Sequence, residues 1–283
     1  MLKKLSLILL AATTSFTVSA RDFSDVKIET SKAAGDVYML TGPGGNIGVL
    51  ATGEGLLLVD DKFAPLAEKI ENAMKAIVDQ DLKYVINTHY HGDHTGSNSY
   101  FSHKAPIFAH HNVRNRLKSN DSLTKDALPV VTYDKGVTIH LANEEVQLTH
   151  LPKGHTDSDT IVYFKNANVL HTGDLFFEGR FPYVDTNGGG SVDGYIANVS
   201  YMVNNFPDDV VIIPGHGNLT DKAGMKEFVA MMIDTSQQVK AQLSAGKSEA
   251  DILKAGVAQE YKALSWNFIT EERWLKTLIA AYK

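Results

Sequence analysis

Between Thr88 and His94 the chain reads Thr-His-Tyr-His-Gly-Asp-His, which places three imidazoles and a carboxylate within six residues, directly after the apolar run Tyr84-Val85-Ile86. Such groups are costly to bury without partners, so a fold that carries this stretch on a buried strand must supply one, and a metal ion is the simplest. His89 and His91, two apart in an extended segment, point the same way. Asp93 and His94 diverge toward a second point once the chain turns at Gly92. This spacing suits two neighbouring ions.

Three later stations extend the pattern: Gly154-His155-Thr156, Thr172-Gly173-Asp174 and Gly215-His216-Gly217. Together, H-x-H-x-D-H and these stations resemble the signature of the metallo-β-lactamase superfamily, over nearly all of the chain after residue 30. The resemblance implies that His89, His91 and His155 hold one zinc ion, that Asp93, His94 and His216 hold a second, and that the Asp174 carboxylate bridges the two. It further implies hydrolysis by a hydroxide bridging two Zn2+ per chain, with Asp93 orienting the attack as the catalytic carboxylate. Periodicity alone gives an α/β fold; the four-layer αββα sandwich is what the resemblance adds.

Taken from its start, the chain opens on Lys3 and Lys4, an apolar core from Leu5 to Ala12, and Val18-Ser19-Ala20 ahead of Arg21. This reads as a signal peptide over residues 1–20 and predicts export to the periplasm or beyond. The apolar run is shorter than the roughly 20 residues that span a bilayer, and Thr13, Thr14, Ser15 and Thr17 interrupt it, so no stable membrane anchor is expected. Residues 21–283 then form a single hydrolase domain, with no long linker to divide it. The formal charge of −6 becomes more negative once the two leader lysines leave, which argues against nucleic acid as a partner and for a small-molecule substrate. The sequence leaves the oligomeric state open. Cysteine is absent, so neither disulfides nor thiolate ligands contribute.

Short β-like runs at 26–29, 37–40, 46–51 and 55–60 are separated by glycine-rich turns. Pro65 opens a helix whose Leu66, Ile70, Met74 and Ile77 share one face. A strand at 83–87 delivers His89. Further strands are expected at 107–110, 137–141, 146–151, 160–164, 169–171 and 210–213, with helical pieces at 96–102 and 112–118. Residues 119–136 carry no clear pattern. Helical apolar stripes run through Tyr195, Val199 and Met202, through Met225, Phe228 and Met232, and through Trp274, Leu275 and Leu278, and these read as core. Every expected ligand falls just past a strand end, where loops over a rigid sheet carry function.

Phe177, Arg180 and Tyr183 follow Asp174 closely and are candidates to line the substrate site, with Arg180 able to clamp a carboxylate. A surface ion pair of Arg180 with Glu178 or Asp185 is the competing reading. Asp60, at the end of an apolar strand, is a candidate partner of a ligand histidine, or a plain loop carboxylate. His110, His111 and His150 read as ordinary polar side chains near strand ends. Three functions stay open. The first is hydrolysis of an ester, thioester or lactone, as in the glyoxalase II type of the superfamily, favoured because the position of Asp174 carries Cys or Ser in dedicated β-lactamases. The others are a periplasmic β-lactamase and an iron-dependent oxidoreductase of the persulfide-oxidising type. The segment Glu178-Gly179-Arg180-Phe181 and the C-terminal helices do not place a glutathione site.

Overall fold

A computed structural model of the protein describes residues 22–283, so the expected signal peptide at 1–20 lies outside the described residues. The chain runs β1 (Glu29–Ala34), β2 (Val37–Thr41), β3 (Ile47–Thr52), β4 (Gly55–Val59), α1 (Ala67–Ile77), β5 (Leu82–Asn87), α2 (Gly92–Thr95), α3 (Asn98–Phe101), β6 (Ile107–His110), α4 (His111–Lys118) and β7 (Val131–Tyr133). These seven strands form one sheet in sequence order. It is antiparallel from β1 to β4 and parallel from β4 to β7.

The second half runs β8 (Gly136–Leu141), β9 (Glu144–His150), β10 (Thr160–Phe164), β11 (Val169–His171), α5 (Val192–Asn205), β12 (Val211–Ile213), β13 (Thr220–Asp221), α6 (Lys222–Ser244), α7 (Glu249–Ala255) and α8 (Glu271–Tyr282). Its strands form a second sheet in the order β13-β12-β11-β10-β9-β8. Only the β11–β12 pair is parallel, with α5 as the crossover between them.

Three apolar layers show how the sheets stack. Leu50, Leu57, Val59 and Ile86 of the first sheet meet Val146, Leu148, Val162, Phe164 and Ile213 of the second. The alternate residues of the same strands, Val49, Leu56, Leu58 and Val85, turn outward onto Leu66, Ile70 and Met74 of α1 and the turn before it. On the outer face of the second sheet, Ile161, Leu170 and Ile212 pack against Tyr195, Val199, Met202, Phe228, Met232 and Trp274 from α5, α6 and α8. Period-two alternation with both faces apolar requires a cover on each side, and the result is the αββα sandwich. Among the described residues, no helix is long and apolar enough to cross a membrane.

Local signals fix the helix starts. Pro65 sits in the 3-10 turn that leads into α1. Ser191 caps α5 by accepting from Gly194 N, so that helix begins before Tyr195 rather than at it. Asp221 caps α6 through Ala223 N and Gly224 N, and Thr270 caps α8 through Arg273 N.

Elsewhere the structure corrects the sequence pattern. The first strand lies at 29–34, not 26–29, because a turn at Asp36 pairs Ala34 with Val37. The patternless stretch 119–136 contains β7, a three-residue edge strand whose Val131 is partly exposed. Such an edge lacks the alternation that marks a half-buried strand. The two-residue β13 is likewise too short to carry a period.

Leu57 is fully buried between the sheets. Leu57→Ala is expected to cost about 2–5 kcal/mol of folding stability by removing buried methylenes and leaving a cavity, measured by urea denaturation.

Candidate metal centre

The loops leaving β4, β5, β9, β11 and β12 converge at one end of the sandwich. Two groups of side chains form there, His89, His91, His155 and Asp174 in one, and Asp93, His94 and His216 in the other, each geometrically able to hold a metal ion. In the first, His91 Nδ1 stands 3.1 Å from His89 Nε2 and 2.9 Å from His155 Nε2. Imidazole nitrogens bound tetrahedrally to one zinc stand about 3.3–3.4 Å apart, given zinc–nitrogen bonds of about 2.0–2.1 Å. The observed spacing is close to that edge.

What these nitrogens present to one another follows from the other side of each ring. His155 Nδ1 lies 2.7 Å from the Tyr183 carbonyl, which only accepts, so Nδ1 carries the proton and Nε2 is a lone pair. His91 Nε2 donates in the same way to the Asp185 carboxylate at 2.9 Å. The Thr88 hydroxyl donates to Asp60 Oδ2 at 2.7 Å, leaving its own lone pair to accept from His89 Nδ1 at 3.0 Å. With all three rings neutral, three lone pairs face one point, an arrangement that is repulsive without a cation and favourable with one. Burial agrees with neutral rings. It holds His89 well below the ordinary imidazole pKa and His155 at about 4.

The second group is built the same way. His94 Nδ1 donates to Asp60 Oδ2 at 2.7 Å, so Nε2 faces inward; it and Asp174 Oδ1, 3.1 Å away, are buried and have no hydrogen-bond partner among the described residues. His216 Nε2 stands 3.5 Å from Asp93 Oδ2 and 3.4 Å from Asp174 Oδ2, and the latter oxygen is also 3.5 Å from His155 Nε2. Asp174 thus adjoins both groups. Burial disfavours charge on His94, but Asp174, Asp93 and Asp60 outweigh it and raise its pKa well above the ordinary value. Three carboxylates gathered round one buried imidazole suit a divalent cation. The orphaned Nε2 and Oδ1 atoms fit the same occupant.

Several close approaches make this packing possible. A Cβ on Gly45 would stand 2.1 Å from the His94 ring, so only glycine lets the β2–β3 loop lie over the site. Gly173 has φ +51°, and its missing Cβ leaves room for Thr88. Asn46 joins the two sheets here, donating from its side chain to the carbonyls of Pro214 and Gly217, each at 2.9 Å. Fully buried His171 donates from Nε2 to Asn46 O at 3.2 Å and accepts from Gly173 N. It is a satisfied core histidine.

Two supports were not evident from sequence. Asp185 accepts from His91 Nε2, from the Tyr90 hydroxyl and from Gly188 N; these hydrogen bonds outweigh burial and hold its carboxyl well below the ordinary range. Lys62 is fully buried, and its ammonium donates to the carbonyls of Gly45 and Gly42. Burial brings its pKa down to about 8. Asp60 is confirmed as the partner of a ligand-position histidine, not a plain loop carboxylate. The other histidines stand apart: His110 and His150 stack at 3.6 Å, and His111 pairs with Asp134.

A cleft of about 810 Å³ opens onto Asp93, Asp174, His91 and His216. Phe177 lies in its floor, stacked on His216 with ring centroids 5.0 Å apart, and Tyr183 lines its wall. Arg180 rests its guanidinium over Trp266 at 5.3 Å. Neither expected ion pair engages it, since Glu178 accepts from Asn218 N and Asp185 serves His91 and Tyr90.

The profile of the metallo-beta-lactamase superfamily matches residues 40–216, which carry all seven of these side chains. The chain belongs to that superfamily. A metallo-beta-lactamase type 2 from Elizabethkingia meningoseptica is 26% identical over 256 residues, covering 85% of this chain and 99% of that protein. A hydroxyacylglutathione hydrolase from Pelagibacter ubique is 32% identical over 98 residues, 34% of this chain and 37% of that protein. Among solved structures, a metallo-beta-lactamase from Pontibacter korlensis superposes with a TM-score of 0.66 at 17% identity, covering 74% of this chain and all of that one. The protein is accordingly a metallohydrolase of this superfamily with a His/Asp metal site, acting on small molecules. Trp266, Asn267 and Phe268, which complete the cleft, lie beyond the matched segment.

Because Asp60 orients His94 directly and His89 through Thr88, Asp60→Asn is expected to lower metal affinity about 10–100-fold, measured by competition with a chromophoric chelator.

Proposed function

We propose that the protein is an exported dinuclear zinc hydrolase acting on an acyl-type bond, with esters, thioesters and lactones as the favoured substrates. The observation that carries this reading is the convergence of three proton-free imidazole nitrogens beside a carboxylate, Asp174, that adjoins a second ligand group. Nitrogen and oxygen donors without thiolate suit zinc. The lysine-bearing apolar leader supports export.

When bound, two zinc ions supply a water acidic enough to attack at neutral pH and an electrophile for the scissile carbonyl. His89, His91 and His155 would hold the first, and Asp93, His94 and His216 the second, with Asp174 shared. Asp93, a quarter exposed and lining the cleft, would orient the attacking water as well as hold the second ion. Arg180, which pairs with no carboxylate among the described residues, binds an anionic group of the substrate. Phe177 and Tyr183 keep the ligand rings in place from the cleft side.

Asp174 favours ester-type leaving groups over amides. Shared by two bound ions, its carboxylate would add negative charge and lower their joint electrophilicity, and oxygen or sulfur leaving groups need less stabilisation than an amide nitrogen. The local match to a hydroxyacylglutathione hydrolase supports the same side. A β-lactamase remains the second reading, favoured by the near full-length match to a metallo-beta-lactamase type 2.

Metal analysis of protein purified without added metal is expected to give about two zinc ions per chain, as seven donors imply at about three protein ligands per catalytic zinc; stoichiometric iron with oxygen-dependent turnover would instead mark an oxidoreductase. Thioester, aryl ester, lactone and β-lactam panels then separate the hydrolase readings, and efficient β-lactam turnover without ester or thioester activity decides for the second. His91→Ala is expected to reduce turnover by at least about 100-fold, beyond what loss of an outer support costs, and to lower the melting temperature. His111→Ala leaves the metal content unchanged.

A further inference from the structure

The cleft over the metal centre has a wall that the proposed chemistry does not use. Trp266 and Phe268, on the segment between the 3-10 turn Gln259–Leu264 and α8, extend the row of rings formed by Phe177 and Tyr183. Ring centroids are 6.0 Å apart for Phe177 and Trp266, 5.6 Å for Trp266 and Phe268, and 5.1 Å for Phe268 and Tyr183. Phe63 lines the same cleft from the β4–α1 connection. Phe268 is 46% exposed.

The segment that carries these two rings is tied down by backbone and side-chain bonds. Trp266 N donates to Ile269 O at 3.1 Å and Trp266 Nε1 to Phe181 O at 3.0 Å. Arg273 donates to Phe268 O at 2.8 Å while its guanidinium covers the Phe268 ring at 4.3 Å. The rings cannot collapse onto the core without losing these bonds, so the wall is formed before a substrate arrives. Exposed apolar surface continuous with a reactive site marks a binding surface.

We infer that Trp266 and Phe268 determine specificity, selecting substrates whose acyl group carries a flat aromatic ring beside the scissile carbon. The inference rests on the hydrolase reading for its reacting bond, but not for its binding surface. Edge-to-face and offset contacts with two rings favour an aromatic group over a saturated one of similar size, by about twofold to tenfold per ring pair.

The test compares acetyl, cyclohexylacetyl and phenylacetyl thioesters of one thiol on the zinc-loaded protein, with zinc content checked for every variant. The wild type is expected to prefer phenylacetyl over cyclohexylacetyl by about tenfold in kcat/KM, and Phe268→Ala to cut that preference about fivefold, mainly through KM. Trp266→Phe, which keeps a ring but loses the bond to Phe181, is the second variant and is expected to retain most of the preference. A parallel titration of phenylacetate and cyclohexylacetate reads the fluorescence of Trp266, the other tryptophan, Trp274, being fully buried. If no thioester is cleaved but phenylacetate binds more tightly and Phe268→Ala weakens it, the hydrolase reading fails and the wall stands. Equal handling of the phenyl and cyclohexyl compounds, or a preference that Phe268→Ala leaves intact, overturns the inference.

Discussion

The site depends on one buried carboxylate. Asp60 accepts from Thr88 N, from the Thr88 hydroxyl and from His94 Nδ1, all at 2.7 Å. Through the hydroxyl it sets the tautomer of His89 in the first ligand group, and directly that of His94 in the second. A fully buried carboxylate is costly, and three short donors, two of them neutral, are what offset that cost. Its backbone is constrained as well: Asp60 sits at φ +63°, with its N–H donating to Ile86 O at 2.7 Å. The end of β4 is thereby tied to the end of β5, so the strand pairing of the sheet and the orientation of both ligand groups are one structural decision.

Around this anchor the two sheets meet through polar groups that have no exit to water. Asn46 and His171 bridge them, and Lys62 draws the Gly42–Gly45 loop down with an ammonium that finds carbonyls instead of a carboxylate. Low-dielectric surroundings strengthen these bonds and make any unpaired member expensive, so the network tolerates few alternative geometries. That rigidity is what a ligand set needs if it is to be in place before the metal.

How much of this was legible in the sequence follows from the range of each signal. The seven ligand-position residues carry local contexts, His-x-His-x-Asp-His and three glycine-flanked stations, and the structure brings all seven together. The continuous apolar run Leu56-Leu57-Leu58-Val59 announced a strand covered on both faces, and the spacing of Leu66, Ile70 and Met74 a helix, because burial on a fixed face repeats with the period of the element. The short edge strands β7 and β13 have too few residues to repeat anything. Asp185 and Trp266 were missed for a different reason: their partners lie 94 and 85 residues away, at His91 and Phe181, and no local pattern encodes such a contact. For Lys62 a signal existed, since two acids and a lysine directly after Leu56-Leu57-Leu58-Val59 put charge where the chain had just been buried.

The geometry also says why the metal and the fold belong to one equilibrium. With His89, His91 and His155 each protonated on the side away from the centre, three lone pairs and the Asp174 carboxylate face one another in a buried space. Burial opposes relief by a proton on His89 or on His155. His94 takes the opposite course, its three acidic neighbours favouring charge despite burial. A cation at each group would take the place of any proton held there while leaving the loops where they are, so its binding energy would be drawn directly into the stability of the loops that meet there.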